Sequence, residues 1–218
     1  DANGIGGSVE NPVLEGKVSI NANAYQDEVE ALQSFFGQDF IINITGNYFL
    51  RIVDAEVLRV LLANGVGSNG GITTQQAEAV AEIGYNWFRD NTAIKSFDEL
   101  RYFTGLKFLG NYYPSDRGTF AGCTSLKSVI IPQEVTDIRN QAFRGCTSLE
   151  SVNISHLTNI GQYSFRQSGF KGDINCPDLQ TLGYSAFSQC PNITKVVNLG
   201  MVTDLRGAEW SSDLDLGG

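Results

Sequence analysis

The residues whose types could do chemistry are few in this chain of 218 residues: one histidine, four cysteines and some paired carboxylates. An imidazole can act as a general base or a metal ligand, but His156 stands in the loop SHLTN with no acidic partner recurring near it. No Ser or Cys beside it follows the nucleophile-elbow pattern, so His156 reads as a turn residue. The pairs Glu28 and Glu30, and Asp213 and Asp215, have the types used by glycosidases. Nothing around them predicts the apolar pocket that would raise one carboxyl pKa for acid catalysis, and they read as solvent-facing charges. No catalytic residue is assigned, and a hydrolase remains the least favoured of the readings.

The cysteines are governed by register. Cys123, Cys146 and Cys190 each stand three residues after an aromatic, and Cys176 fills the slot that Ile131 and Ile154 fill in neighbouring segments. Equivalent positions of a stacked repeat point the same way, so four reduced, buried thiols are expected in place of disulfides. Steps of 23 and 44 with a stray 30 match no metal knuckle. A second metal candidate is the loop NGVGSNGG between the helical patterns DAEVLRVLLA and TTQQAEAVAEIG. Placed in an EF-hand frame, its ligand positions fall on Gly65, Gly67, Asn69, Thr73 and Gln76, none of them a carboxylate. Calcium needs several anionic oxygens, so neither a metal nor any other cofactor is expected. The sequons at Asn43, Asn153 and Asn192 are read as chance patterns without glycans.

The elements that must hold these residues are set by an internal repeat. Aromatics recur at Phe120, Phe143, Phe165, Phe187 and Trp210, in steps of 23, 22, 22 and 23 residues. Five residues before the last four stand Ile138, Ile160, Leu182 and Leu205, and nine residues after the first four come Val129, Val152, Ile174 and Val196. The latter sit in β-branched alternating runs such as KSVIIP and ESVNIS, which predict short strands. In the first repeat Leu109 precedes Phe120 by eleven residues, with NYYPSD as an insertion. Each period is one coil with a strand, a turn, a second apolar pair and an aromatic corner, and coils of this kind bury their apolar sides only by stacking.

These residues carry a resemblance. AFRGCTSLESVNIS and GCTSLKSVIIPQEVTDI resemble the BspA-like leucine-rich repeats of bacterial surface proteins, with AF-x-x-C-x-x-L-x-x-V-x-I-P matched from Phe120 to Pro132 and the likeness covering about residues 94 to 213. In the third coil Ser168 replaces the usual Cys and Phe170 sits one place early, while Trp210 replaces Phe in the last. The resemblance implies a curved solenoid, export to the cell surface, and binding of other proteins instead of catalysis.

The fold class expected is therefore an α+β repeat, a leucine-rich repeat solenoid with one parallel β-sheet preceded by a small helical segment. Its divisions are residues 1–48, of unassigned role and a candidate cap, a helix-loop-helix segment at 49–93, and a solenoid of about five coils at 94–218. In 1–48, DEVEALQSFFG predicts a helix and FIINITG a strand. Within 49–93, Val57, Val60 and Leu61 share one helix face, Thr73 and Gln76 have capping-box spacing, and the whole resembles a degenerate EF-hand-like or dockerin-like unit.

A net charge of -9 without a basic cluster disfavours nucleic acid and anionic lipid, and no apolar run reaches the length of a spanning helix. A start at Asp1 followed by a polar, Gly-containing run reads as a mature chain whose export signal has been removed, in keeping with the bacterial cell-surface location that the resemblance implies.

The candidate site is the set of outward strand side chains, in one row Ile130, Asn153, Asn175 and Val197 and in the adjoining row Ser128, Ser151, Asp173 and Lys195. Such a face suits a protein ligand, for instance a host matrix protein or another surface protein. The alternative is a carbohydrate-binding or surface-assembly role, with Tyr112 and Tyr113 in the insertion as the ring-stacking residues.

Overall fold

The computed structural model describes residues 49–68, 71–112 and 118–202, together with the helical, exposed positions Asp27, Ala31 and Ser34. The rest of the expected helix at 27–37, the strand at 40–46, and Leu205 and Trp210 lie outside the described residues.

From Phe88 onward the chain winds in coils, each contributing two short strands. A first line is β3 (Ser96–Phe97), β5 (Ser128–Val129), β7 (Ser151–Val152), β9 (Gly172–Asn175) and β11 (Ile193–Asn198). A second is β4 (Phe108–Leu109), β6 (Asp137–Ile138), β8 (Asn159–Ile160) and β10 (Thr181–Leu182). Except between β7 and β9, each pairs in parallel with the equivalent strand of the next coil, Val129 facing Val152 and Ile138 facing Ile160. The expected parallel stacking is thus present, but divided: the second apolar pair of each coil builds a four-stranded sheet of its own, and the first line separates into β3-β5-β7 and β9-β11. The separation falls where the repeat departs from its pattern. Phe170, just before β9, is buried one place earlier than the corresponding Leu126 and Leu149.

The aromatic corners form a third line. Phe120, Phe143, Phe165 and Phe187 stack face to face with centroids 5.3, 5.2 and 5.1 Å apart and planes within 12°. Phe88 extends the stack by one ring at 5.3 Å. Its period of 32 residues hides it from a 22–23-residue count, yet the phase is kept: Asn91, Ile94 and Phe97 follow it at the spacings at which Cys123, Leu126 and Val129 follow Phe120. The surplus lies in the longer passages from Phe97 to Leu109 and from Leu109 to Phe120.

Backbone bonds tie the corners together, with Phe120 N–H donating to Ala142 O at 2.8 Å, Phe143 N–H to Ser164 O at 2.7 Å and Phe165 N–H to Ala186 O at 2.8 Å. The turn two residues past each ring is left-handed, at φ 77° and 73° where Gly122 and Gly145 accept it freely, and at 59° and 58° where Gln167 and Gln189 bear its cost of about 1–2 kcal/mol each.

The helical segment closes the N-terminal end of the stack. β1 (Phe49–Leu50) pairs antiparallel with β2 (Ile72–Thr73), framing helix α1 (Ala55–Ala63), and α2 (Thr74–Glu78) follows. α1 buries Val57, Val60 and Leu61, and α2 begins with the Thr73–Gln76 capping box. These side chains, with Leu50, Ile52, Ile72 and Ile83, share one core with Phe88 and Phe97. Asp54 makes the junction: Oδ1 accepts from Glu56 and Val57 N–H at the start of α1, and Oδ2 from Lys95 and Ser96 N–H at 2.6 and 3.3 Å. One carboxylate thus caps the helix and covers the otherwise bare edge of β3. Thr73 and Gln76, two of the EF-hand ligand places, spend their side chains on the capping box.

Phe143 is fully buried between two rings, so Phe143→Ala should cost about 3–5 kcal/mol in thermal or denaturant melts. A loss under about 1 kcal/mol would contradict the stacked core.

Candidate functional site

The outward side chains of the two strand lines make two distinct faces. On the first, Ser96, Ser128 and Ser151 stand in register across β3, β5 and β7, with Ser151 exposed and the other two half-buried. Ile130 beside them is half-buried. Asn153 has a different task from the one its position in the row suggests: its Oδ1 accepts from Ile131 N–H at 2.6 Å and its Nδ2 donates to Ile131 O at 2.8 Å. The amide replaces a missing backbone pairing with the previous coil, so Asn153 is committed to the fold.

Across the break, Asp173, Asn175, Lys195 and Val197 are exposed. β11 needs six residues to match four of β9, because Ile193 faces Gly172, Val196 faces Ile174 and Asn198 faces Asn175. Lys195 and Val197 therefore fall within bulged stretches, and Asn175 is opposite Asn198 where the even row would put Val197. Val197 is half exposed, an apolar side chain on a polar face. In place of two even rows, the outward residues lie in two patches, with the exposed Lys171–Glu150 ion pair at 3.1 Å across the break.

The second face was not singled out by the sequence reading, although the signal is there: the residue before each inward aliphatic is Phe108, Asp137, Asn159 and Thr181, and alternation turns it outward. These four are in register. Asn159 Nδ2 donates to Asp137 Oδ1, and Thr181 Oγ1 donates to Asn159 Oδ1. Asp137 Oδ2 accepts from Arg139 Nε and from the Tyr112 hydroxyl, each at 3.1 Å. The Arg139 guanidinium lies between two rings, its carbon 3.2 Å from the Phe108 centroid and 3.8 Å from that of Tyr112. Tyr112 is 62% exposed, and its backbone carbonyl accepts from Asn140 Nδ2 at 2.7 Å. Tyr113 lies outside the described residues.

The remaining chemical candidates resolve less dramatically. His156 sits on the turn after β7 as expected, but half-buried, with Nε2 3.1 Å from Pro132 O of the previous coil. The pairs Glu28/Glu30 and Asp213/Asp215 and the sequon at Asn43 lie outside the described residues. Among the described residues, no group of three or more His, Cys, Asp or Glu side chains is placed to hold a metal. No helix among them is long and apolar enough to cross a membrane.

The four cysteines are free and buried. The three in register have a donor role that spacing alone did not reveal: Cys123 Sγ donates to Phe88 O at 3.0 Å, Cys146 Sγ to Phe120 O at 3.0 Å and Cys190 Sγ to Phe165 O at 2.9 Å. Each thiol satisfies the carbonyl of the stacked aromatic one coil back, while filling a slot too small for a larger polar group. In the third coil Ser168 lies 3.4 Å from Cys190 Sγ.

Compared with known proteins, residues 94–208 match the BspA type Leucine rich repeat region in six copies, and the chain belongs to that family. A solved leucine-rich repeat protein from Bacteroides ovatus aligns with 55% of this chain and 29% of its own length, at 24% identity and a TM-score of 0.47. This chain thus spans less than a third of that protein. No curated protein matches it.

Burial pushes the Cys123 and Cys176 thiols up to about 12, and those of Cys146 and Cys190 upward as well. Because the folded thiols hold their protons where unfolded ones lose them, this stabilisation is complete below about pH 8.5 and is lost as pH rises toward 12. The expected slope is about 1.4 kcal/mol per pH unit per thiol in that window. Denaturant midpoints measured from pH 8 to 10.5 should fall more steeply for the wild type than for Cys176→Ala. At pH 8 the native thiols should resist alkylation and all four should react once unfolded. Rapid labelling of the native protein would contradict their placement.

Proposed function

We propose that this is a non-enzymatic protein of the bacterial cell surface or its surroundings that binds another protein through the outer face of its first strand line. The observation that carries this reading is the register of Ser96, Ser128 and Ser151 on rigidly stacked coils, continued by exposed Asp173, Asn175, Lys195 and half-exposed Val197. A stacked scaffold loses little conformational entropy when bound, and half-buried Ile130 and half-exposed Val197 give the broad outward face isolated apolar contact points.

Family membership supports the same class of role, since repeats of this type are generally interaction modules found on bacterial surfaces. The helix-loop-helix, in this reading, is an EF-hand-like or dockerin-like unit that has lost its calcium ligands and serves as an N-terminal cap. The bond from Asp54 to β3 supports that role.

The test is a binding screen of the purified chain against host matrix proteins, repeated with Ile130→Asp, Asn175→Lys and Val197→Asp combined. Asn153 is left in place, because its amide pairs with Ile131. The variant should melt like the wild type and lose at least tenfold in affinity for any matrix protein bound, since the new charges would be desolvated without partners. Undiminished binding would remove this face as the site, and absence of any matrix ligand would count against the protein-binding reading.

A further inference from the structure

The second sheet presents a different chemistry from the first. Its outward row begins with an aromatic platform and continues as polar groups already bonded to one another, from Tyr112 and Arg139 to Asp137, Asn159 and Thr181. Tyr112 has the Arg139 guanidinium over its ring and is nonetheless 62% exposed, which leaves ring surface for a ligand. Four contacts hold the ring's surroundings in place: the hydroxyl bond to Asp137, the guanidinium, the bond from Asn140 to the Tyr112 carbonyl, and Phe108 beneath Arg139.

We propose that this face binds a neutral linear glycan, with Tyr112 stacking on the C–H face of one sugar and the row from Arg139 to Thr181 bonding to the hydroxyls of the sugars that follow.

Three properties select this ligand. The first is the combination of an exposed aromatic with fixed polar groups. A pyranose offers an apolar C–H face edged by hydroxyls, and each hydroxyl both donates and accepts. A pre-bonded row of carboxylate, amide, hydroxyl and guanidinium can serve such edges with little loss of side-chain freedom. Second, Asp137 and Arg139 neutralise each other at 3.1 Å, and the chain as a whole carries a net charge of -9. An acidic glycan or a phosphate would find no surplus cation here. Third, parallel strands of successive coils lie about 4.8 Å apart, so the four positions span about 14 Å. That repeat is close to the length of one pyranose unit in an extended chain, which lets successive sugars meet successive coils. Tyr184, 44% exposed and edge-on to Tyr163 at 5.5 Å, follows β10 by two residues and adds an aromatic in the last coil of the row.

This inference does not rest on the protein-binding reading, because it uses the other sheet. The experiment is native-gel retardation in a panel of neutral linear polysaccharides (β-1,4-glucan, β-1,3-glucan, β-1,4-xylan, β-1,4-mannan and α-1,4-glucan), followed by calorimetry with the matching tetrasaccharide. At least one polymer should retard the protein. Tyr112→Ala should weaken tetrasaccharide binding tenfold or more, Tyr112→Trp should keep it within about threefold, and Thr181→Ala should weaken it several-fold, all in variants whose melts show them fully folded at the titration temperature. The Ile130→Asp, Asn175→Lys, Val197→Asp variant should bind the sugar as the wild type does. Failure of every polymer to retard the protein would overturn the proposal, as would binding that survives Tyr112→Ala or that is lost in the first-face variant. The first-face variant's behaviour toward matrix proteins is read separately, so the two ideas fail independently.

Discussion

The constraint on which the rest depends is that no coil can satisfy its own backbone. A segment of 22 or 23 residues that turns through two short strands and a tight corner leaves polar groups bare on both flanks, and only an identical coil about 5 Å away can meet all of them at once. That is why the chain is bonded coil to coil along both strand lines and along the corners. The spacing then dictates the side chains. Rings stacked at 5.1–5.3 Å fill the corner, thiols reach the ring residue's carbonyl one coil back, and Asn153 supplies backbone-like bonds to Ile131.

The same constraint creates two problems, an open end and two unoccupied faces. The N-terminal end is closed by a helical segment whose apolar face joins the core and whose Asp54 carboxylate meets the unpaired amides of β3. The faces are what a stack offers to other molecules, and here they differ in kind. The β3-β5-β7 face is a serine line with little depth, broken before β9, whereas the β4-β6-β8-β10 face carries a cross-bonded polar row anchored on Tyr112 and Arg139. One repeat pattern yields both because each coil contributes an outward residue at each strand.

Most of the interior was legible in the sequence, since the inward positions Val129, Val152, Ile174 and Val196 and the rings from Phe120 to Phe187 obey a fixed period. Phe88 escaped because insertions on either side of β4 lengthen its coil without altering its phase. The outward rows were less legible. Alternation tells which side a residue faces, but not that Asn153 turns back onto the previous coil, nor that β11 bulges at Lys195 and Val197, because those depend on what the neighbouring coil lacks. Asp137, Asn159 and Thr181 were overlooked although their spacing is as regular as that of the aromatics, since three different polar residues do not look like a repeat until their hydrogen bonds are seen.

The coil-to-coil bonding at the corners can be tested amide by amide. In hydrogen exchange measured by NMR under native conditions, the N–H groups of Phe120, Phe143 and Phe165, which donate to Ala142, Ser164 and Ala186 carbonyls, should exchange only on global unfolding, with protection matching the stability found by denaturant. Exchange of these three at rates near those of an unstructured chain would contradict the stacked-coil account.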